Sequence, residues 1–281
     1  MATLTNILAV ALLCSLAGCA TKSVAPTIHG RTQPIARFPA MAPRMPVLPR
    51  YTLPRYIEPG QRTVDDVLVD YGPYVRQQLE PYFESAGLTY PPREITLLAL
   101  KQEKKLELWA RNDGPFRLVR HYDIRAASGT SGPKLRQGDR QVPEGIYRIV
   151  GLNPNSNYHL SLKLNYPNEF DLYHAELEGR SSPGSDIFIH GKAVSIGCLA
   201  IGDEAIEQLF VLAARTGREN IKVVIAPRDP RVLPLNADDA DLPEWAPELY
   251  AMIERAVFTL EDPVRLSLKG SNLPTRTTLR R

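Results

Sequence analysis

Ser185-Asp186-Ile187-Phe188-Ile189-His190-Gly191-Lys192-Ala193-Val194-Ser195-Ile196-Gly197-Cys198 holds the only cysteine beyond the first twenty residues, with a histidine eight positions upstream. Ile187-Phe188-Ile189 is a short, apolar, β-prone run, which predicts a buried strand delivering His190 at its end. A free thiol with a pKa of ~8.5 is mostly protonated at neutral pH, and an imidazole brought close can take its proton. Cys198 and His190 are therefore the candidate nucleophile and base. Gly191 and Gly197 let the backbone approach a substrate closely, the N–H groups of Ile196, Gly197 and Cys198 are the candidates to meet an oxyanion, and the Ser195 hydroxyl is the candidate to orient the ring or the loop. The same residues also admit a plain reading, with His190 a hydrogen-bonded strand-end histidine and Cys198 a buried small hydrophobe.

The 281 residues allow one large domain or two small ones, and a hydrophobic fraction of 43% is that of a globular protein. A net charge of +3 gives no argument for a nucleic-acid partner. Neither CxxC nor HExxH occurs and the five histidines are scattered, so no metal site is expected.

Residues 7–19 form an apolar segment too short to span a bilayer as a helix, and it ends in small residues. Leu16-Ala17-Gly18-Cys19 resembles the lipobox of bacterial lipoproteins, which implies cleavage before Cys19, lipidation of that cysteine and a membrane anchor. No Lys or Arg precedes the apolar core, a departure from the usual signal peptide. Ala20 and Thr21, in place of the aspartate that retains lipoproteins in the inner membrane, suit a periplasmic chain anchored in the outer membrane. Processing at Cys19 would remove Cys14 and leave Cys198 as the single free thiol.

Residues 20–60 are rich in proline, with five arginines and a single glutamate from residue 22 onward, and read as a semi-extended tether. Residues 61–94 form a helical lead-in. Thr63 is placed to cap it, and Pro73 predicts a break into two short helices. Between Glu94 and Val150 the pattern is that of strands, over residues 95–100, 106–110 and 116–124. Residues 153–183 carry Tyr158, His159, Tyr166, Phe170, Tyr173 and His174, read either as core packing or as a loop lid over a substrate groove. After Cys198, Asp203 is expected to cap a helix, residues 221–227 to form a closing strand, and residues from about 243 to 260 a further helix. The last stretch, residues 265–281, has five basic residues and no acidic one, and reads as a loose tail.

Gly132-Pro133-Lys134, Gly138-Asp139, Val142-Pro143-Glu144-Gly145-Ile146-Tyr147, His190-Gly191 and Ser195-Ile196-Gly197-Cys198 stand in the order of a known signature. Residues 95–227 thereby resemble the L,D-transpeptidase catalytic domain, and in particular its YafK-like branch. Val142 stands where threonine is common, Ile196 replaces a second histidine, and the interval from His190 to Cys198 is short for the family. The resemblance implies a mainly β fold with flanking helices, an antiparallel L,D-transpeptidase-like sandwich or barrel core, with residues 228–281 as a C-terminal extension. Lys134 is read as a solvated loop charge.

The resemblance further implies acyl transfer on peptidoglycan stem peptides, with Cys198 as nucleophile, His190 as base and no metal or organic cofactor. Partners would be stem peptides, wall-linked lipoproteins and, through the N-terminal lipid, a membrane. The substrate groove would be walled by Tyr166, Phe170 and Tyr173. Two alternatives stay open: a hydrolase of the same fold with water as acceptor, and a non-catalytic wall-binding lipoprotein.

Overall fold

The structure is a computed structural model, which describes residues 58, 60–236 and 241–261. The signal segment, most of the tether and the basic tail expected from the sequence lie outside the described residues.

Helix α1 (Val64–Ser85) starts as expected at Thr63, whose hydroxyl accepts the Asp66 N–H while the Asp66 carboxylate accepts the Thr63 N–H, a capping box. The predicted break at Pro73 does not occur, and one helix runs through both Pro73 and Pro81. Pro73 stands on the solvent face, and the carbonyl it deprives of a partner belongs to Val69, itself 61% exposed, so the lost bond falls on the side of the helix open to solvent. The residue before it is Gly72, which has no Cβ to clash with the proline ring. Val67, Tyr71, Val75, Leu79 and Phe83, spaced four apart, bury the opposite face.

Among the described residues, nine strands form one mixed sheet. They are β1 (Glu94–Leu100), β2 (Lys105–Arg111), β3 (Arg117–Asp123), β4 (Ala126–Ala127), β5 (Gly145–Ser156), β6 (His159–Leu164), β7 (Phe188–His190), β8 (Leu199–Ala200) and β9 (Ile221–Ala226). Their spatial order is β3-β2-β1-β9-β5-β6-β7-β8-β4. The sheet departs from the antiparallel expectation at two places, because β1 with β9 and β7 with β8 run parallel. The last strand in sequence is thus an inner one. Strand β5 joins the two halves: Gly145–Arg148 pairs with β9, and from Ile149 onward it pairs with β6.

The central strands are covered on both faces, which explains their unbroken apolar runs. Ile95, Leu97, Ala99, Val223 and Ile225 pack into the core that also takes α1 and α3 (Asp203–Thr216). Leu98, Leu100, Val224 and Ala226, on the other face, meet Leu249, Tyr250, Ile253 and Val257 of α4 (Ala246–Phe258).

Residues 153–183, read either as core packing or as a loop lid, are mostly regular. They complete β5, form β6, and include α2 (Glu169–Leu177), which is capped reciprocally by Asn168 and Asp171. Nor does Asp203 cap α3. Gly202 holds that position, and the Asp203 carboxylate accepts the backbone N–H of Lys192 at 2.7 Å instead.

Candidate active site

Register brings the two candidate residues together. In the parallel β7–β8 pair Ile189 faces Leu199 and His190 faces Ala200, so Cys198, one residue before β8, stands beside Phe188. Alternation then turns Phe188, His190 and Cys198 to one face, and Ser161, paired with His190 across β6, joins them. These four side chains and Tyr158 line a cavity of about 210 Å³, rimmed by residues 153 and 155–157 of the β5–β6 hairpin.

His190 is 2% exposed, and its Nδ1 lies 2.7 Å from the Gly191 carbonyl oxygen. A carbonyl only accepts, so Nδ1 carries the proton and Nε2 is left with a lone pair, the tautomer a base requires. The Tyr158 ring lies 4.5 Å from the imidazole, tilted by 32°. Burial pushes the His190 pKa below its ordinary value, with the Gly191 carbonyl pulling the other way. Burial pushes the Cys198 thiol up, opposed by the Phe188 backbone and the Lys134 charge. The thiol points toward the Asp186 carbonyl oxygen, 3.8 Å away. Both shifts favour neutral thiol beside neutral imidazole over a thiolate–imidazolium pair.

The turn before Cys198 is held by hydroxyls. Ser195 Oγ donates to the Cys198 carbonyl at 2.6 Å and accepts the Cys198 N–H at 3.1 Å. Gly197 donates its N–H to Ser128 Oγ at 2.6 Å. Of the three amides expected to meet an oxyanion, those of Gly197 and Cys198 are therefore engaged in this geometry. Ser195 orients the turn, and its hydroxyl bonds Cys198 rather than the imidazole. Ile196 is 72% exposed. Gly191 is a point of close approach, since a Cβ there would lie 2.6 Å from Asp203 Oδ1 and 2.7 Å from the Tyr158 carbonyl oxygen. Gly197 adopts φ +101°, which favours glycine.

The predicted groove residues lie apart from this cavity. Tyr166 is buried, with its hydroxyl donating to the Pro183 carbonyl at 2.8 Å. Phe170 packs on Trp245 and His174, and Tyr173 is exposed beside His174. None of the three lines the cavity, where the aromatic side chains are Tyr158 and Phe188. Lys134 is buried rather than solvated, with Nζ bonded to Asp139 and to the Arg136 carbonyl. Sequence reasoning missed Ser128, Ser161 and Phe188, which no local spacing marks. Tyr158 was visible only as one member of an aromatic set.

A second cavity, about 260 Å³, lies at the start of α3 beside Arg120 and Arg125, and neither Cys198 nor His190 lines it. Among the described residues, no three His, Cys, Asp or Glu side chains gather as a metal ion would require. No described helix is long and apolar enough to cross a membrane.

A cysteine and a histidine share one cavity at the meeting of two parallel strands in a mixed sheet, within the stretch that a family model matches. Residues 96–225 match the family model YkuD, the L,D-transpeptidase catalytic domain. The resemblance drawn from the Gly132-Pro133-Lys134 and His190-to-Cys198 motifs is thus shown for this stretch. YafK of Escherichia coli strain K12, whose name designates it a candidate L,D-transpeptidase, is 33% identical over 138 residues. That alignment covers 47% of this chain and 54% of YafK, so the chain spans about half the length of the curated relatives it matches. Among solved structures, the helical cell shape determining protein Pgp2 from Campylobacter jejuni aligns at 20% identity with a TM-score of 0.40, covering 48% of each chain. Bd1075 of Bdellovibrio bacteriovorus aligns at 23% identity with a TM-score of 0.35, covering 49% of each.

Proposed function

We propose that this chain is a cysteine-dependent acyl transferase of the L,D-transpeptidase kind, acting on peptidoglycan stem peptides. The observation that carries the reading is one cavity lined by both Cys198 and His190, with the histidine held in the tautomer whose Nε2 can accept a proton. The starting pair is neutral. As Sγ attacks the carbonyl of a residue in the donor stem, His190 Nε2 takes the thiol proton. Collapse of the tetrahedral adduct breaks the amide bond, and the same proton passes to the departing amine, leaving a thioester on Cys198. An incoming amine loses its proton to His190, attacks the thioester and restores the thiol. For the oxyanion, the amide of Ile196, or a shift of the turn that frees Gly197 or Cys198, supplies the donor.

The hydrolase reading uses the same steps with water as acceptor. The cavity's open, polar hairpin rim gives water access and keeps this reading in contention. In either case we place the chain outside the cytoplasm, with Cys19 lipidated and residues 20–60 spanning from an outer-membrane anchor to the catalytic domain.

The test is incubation of the pure protein with sacculi and with purified stem peptides, followed by mass spectrometry of the products. New cross-links or attached amines mark a transferase, and shortened or detached peptides mark a hydrolase. Products unchanged by Cys198→Ala would refute the assignment of Cys198 as nucleophile, and no products at all would leave a non-catalytic wall-binding protein.

A further inference from the structure

We propose that Ser128 is a positioning residue of the active site, its hydroxyl fixing the Ile196–Gly197 peptide and thereby the seat of the reactive sulfur. The inference rests on the acyl-transfer reading for its consequence, but not for its geometry.

Strand β4 is two residues long and sits at the sheet edge, paired antiparallel with β8 so that Ala126 faces Ala200 and Ala127 faces Leu199. One step further in this register sets Ser128 opposite Cys198. Its Oγ accepts the Gly197 N–H at 2.6 Å and lies 3.5 Å from Ser195 Oγ, which bonds both backbone groups of Cys198. Two hydroxyls from segments 67 residues apart thus hold three successive peptide units, Ser128 the one from Ile196 to Gly197 and Ser195 the two that flank Cys198. The grip matters because Gly197 is the hinge. At φ +101° and without a side chain it restrains Cys198 less than any other residue would.

Ser128 is itself braced. Its carbonyl accepts the Val142 N–H at 3.3 Å. The next two residues are locked to Gln141, whose side chain accepts the Thr130 N–H at 2.9 Å and leaves no room for a Cβ at Gly129. The Gln141 carbonyl oxygen in turn sits 3.4 Å from where a Gly197 Cβ would be. Asp139 orders that loop through the N–H groups of Leu135, Arg136 and Gln141 and through Lys134. The Gly132-Pro133-Lys134 and Gly138-Asp139 motifs therefore act on the chemistry through one hydroxyl.

The experiment compares wild type, Ser128→Ala and Ser128→Thr by stem-peptide turnover and by the pH dependence of Cys198 alkylation with iodoacetamide. A misplacement of about 1 Å costs on the order of a hundredfold in rate. Ser128→Ala is expected to lower kcat by roughly ten- to a hundredfold, with KM within about twofold, and Ser128→Thr to restore kcat. The alkylation midpoint should fall toward that of a free thiol in Ser128→Ala and stay at the wild-type value in Ser128→Thr. An unmoved midpoint in a folded Ser128→Ala protein overturns the inference, as does Ser128→Thr behaving like Ser128→Ala. If Ser128→Ala does not fold, Ser128→Val, isosteric with Ser128→Thr but without the hydroxyl, takes its place under the same criteria. A wild-type protein inert toward stem peptides would sink the acyl-transfer reading alone, because the alkylation measurement still judges Ser128.

Discussion

The rings of Tyr158 and His190 lie 4.5 Å apart and are tilted by 32°, so the imidazole is seated against a residue from the β5–β6 turn. Such a ring pair contributes about 0.5–1.5 kcal/mol, roughly a tenfold effect if it all bears on the productive orientation. Tyr158→Phe should keep turnover within about threefold of wild type, whereas Tyr158→Ala should lower kcat about tenfold. Equal loss in both variants would assign the role to the hydroxyl instead of the ring face.

The pH profile should report a neutral pair. Because burial lowers the His190 pKa, the acid limb of kcat/KM should lie below the ordinary histidine value. Because burial raises the Cys198 pKa, iodoacetamide alkylation should climb on the alkaline side of an ordinary thiol, with no reactive plateau at neutral pH. A plateau extending below pH 7 would instead mean a thiolate–imidazolium pair.

Gly191 has no room for a methyl group, since Asp203 Oδ1 and the Tyr158 carbonyl oxygen stand 2.6 and 2.7 Å from its would-be Cβ. Gly191→Ala should cost about 1–3 kcal/mol of stability by overpacking. It should also loosen the Asp203–Lys192 bond that holds the strand exit. Denaturant midpoints and turnover measured together check this, and an unchanged midpoint would contradict the packing.

Asp171 is the buried carboxyl with a raised pKa of about 6, pushed up by burial against the bonds it accepts from Asn168 and Tyr147. A carboxyl raised in the folded state adds stability that is complete below its ordinary value of 3.8 and is lost as pH rises through 6. Between pH 4 and pH 7.5 the wild type should lose about 2.4 kcal/mol from this group. Asp171→Asn, which cannot ionise, should lack that part of the slope. Parallel pH dependences in urea unfolding would rule the group out as the cause.

How much of this was legible in the chain differs from element to element. The apolar runs of β1, β2, β7 and β9 announced themselves because strands buried on one or both faces need such runs. Thr63 declared the start of α1 through chemistry confined to four residues. Pro73 misled, because local propensity cannot see that its orphaned carbonyl falls on the side of the helix open to solvent and that the opposite face is buried. Residues 153–183 left two readings open for a related reason. Their turn-forming residues and aromatics fit a loop lid as well as a packed core, and pairing with strands far away in sequence makes them a hairpin and a helix.

By itself, the sequence determined the pair to watch and the domain that carries it, since a histidine, a cysteine and small residues between them are a local pattern. Tertiary structure alone decided that Ser161, Tyr158 and Phe188 share the cavity with that pair, that Tyr166, Phe170 and Tyr173 do not, and that Ser128 reaches the Gly197 amide. Those outcomes depend on strand register between segments tens of residues apart. A shift of one residue sends every side chain to the opposite face, and no local spacing records it.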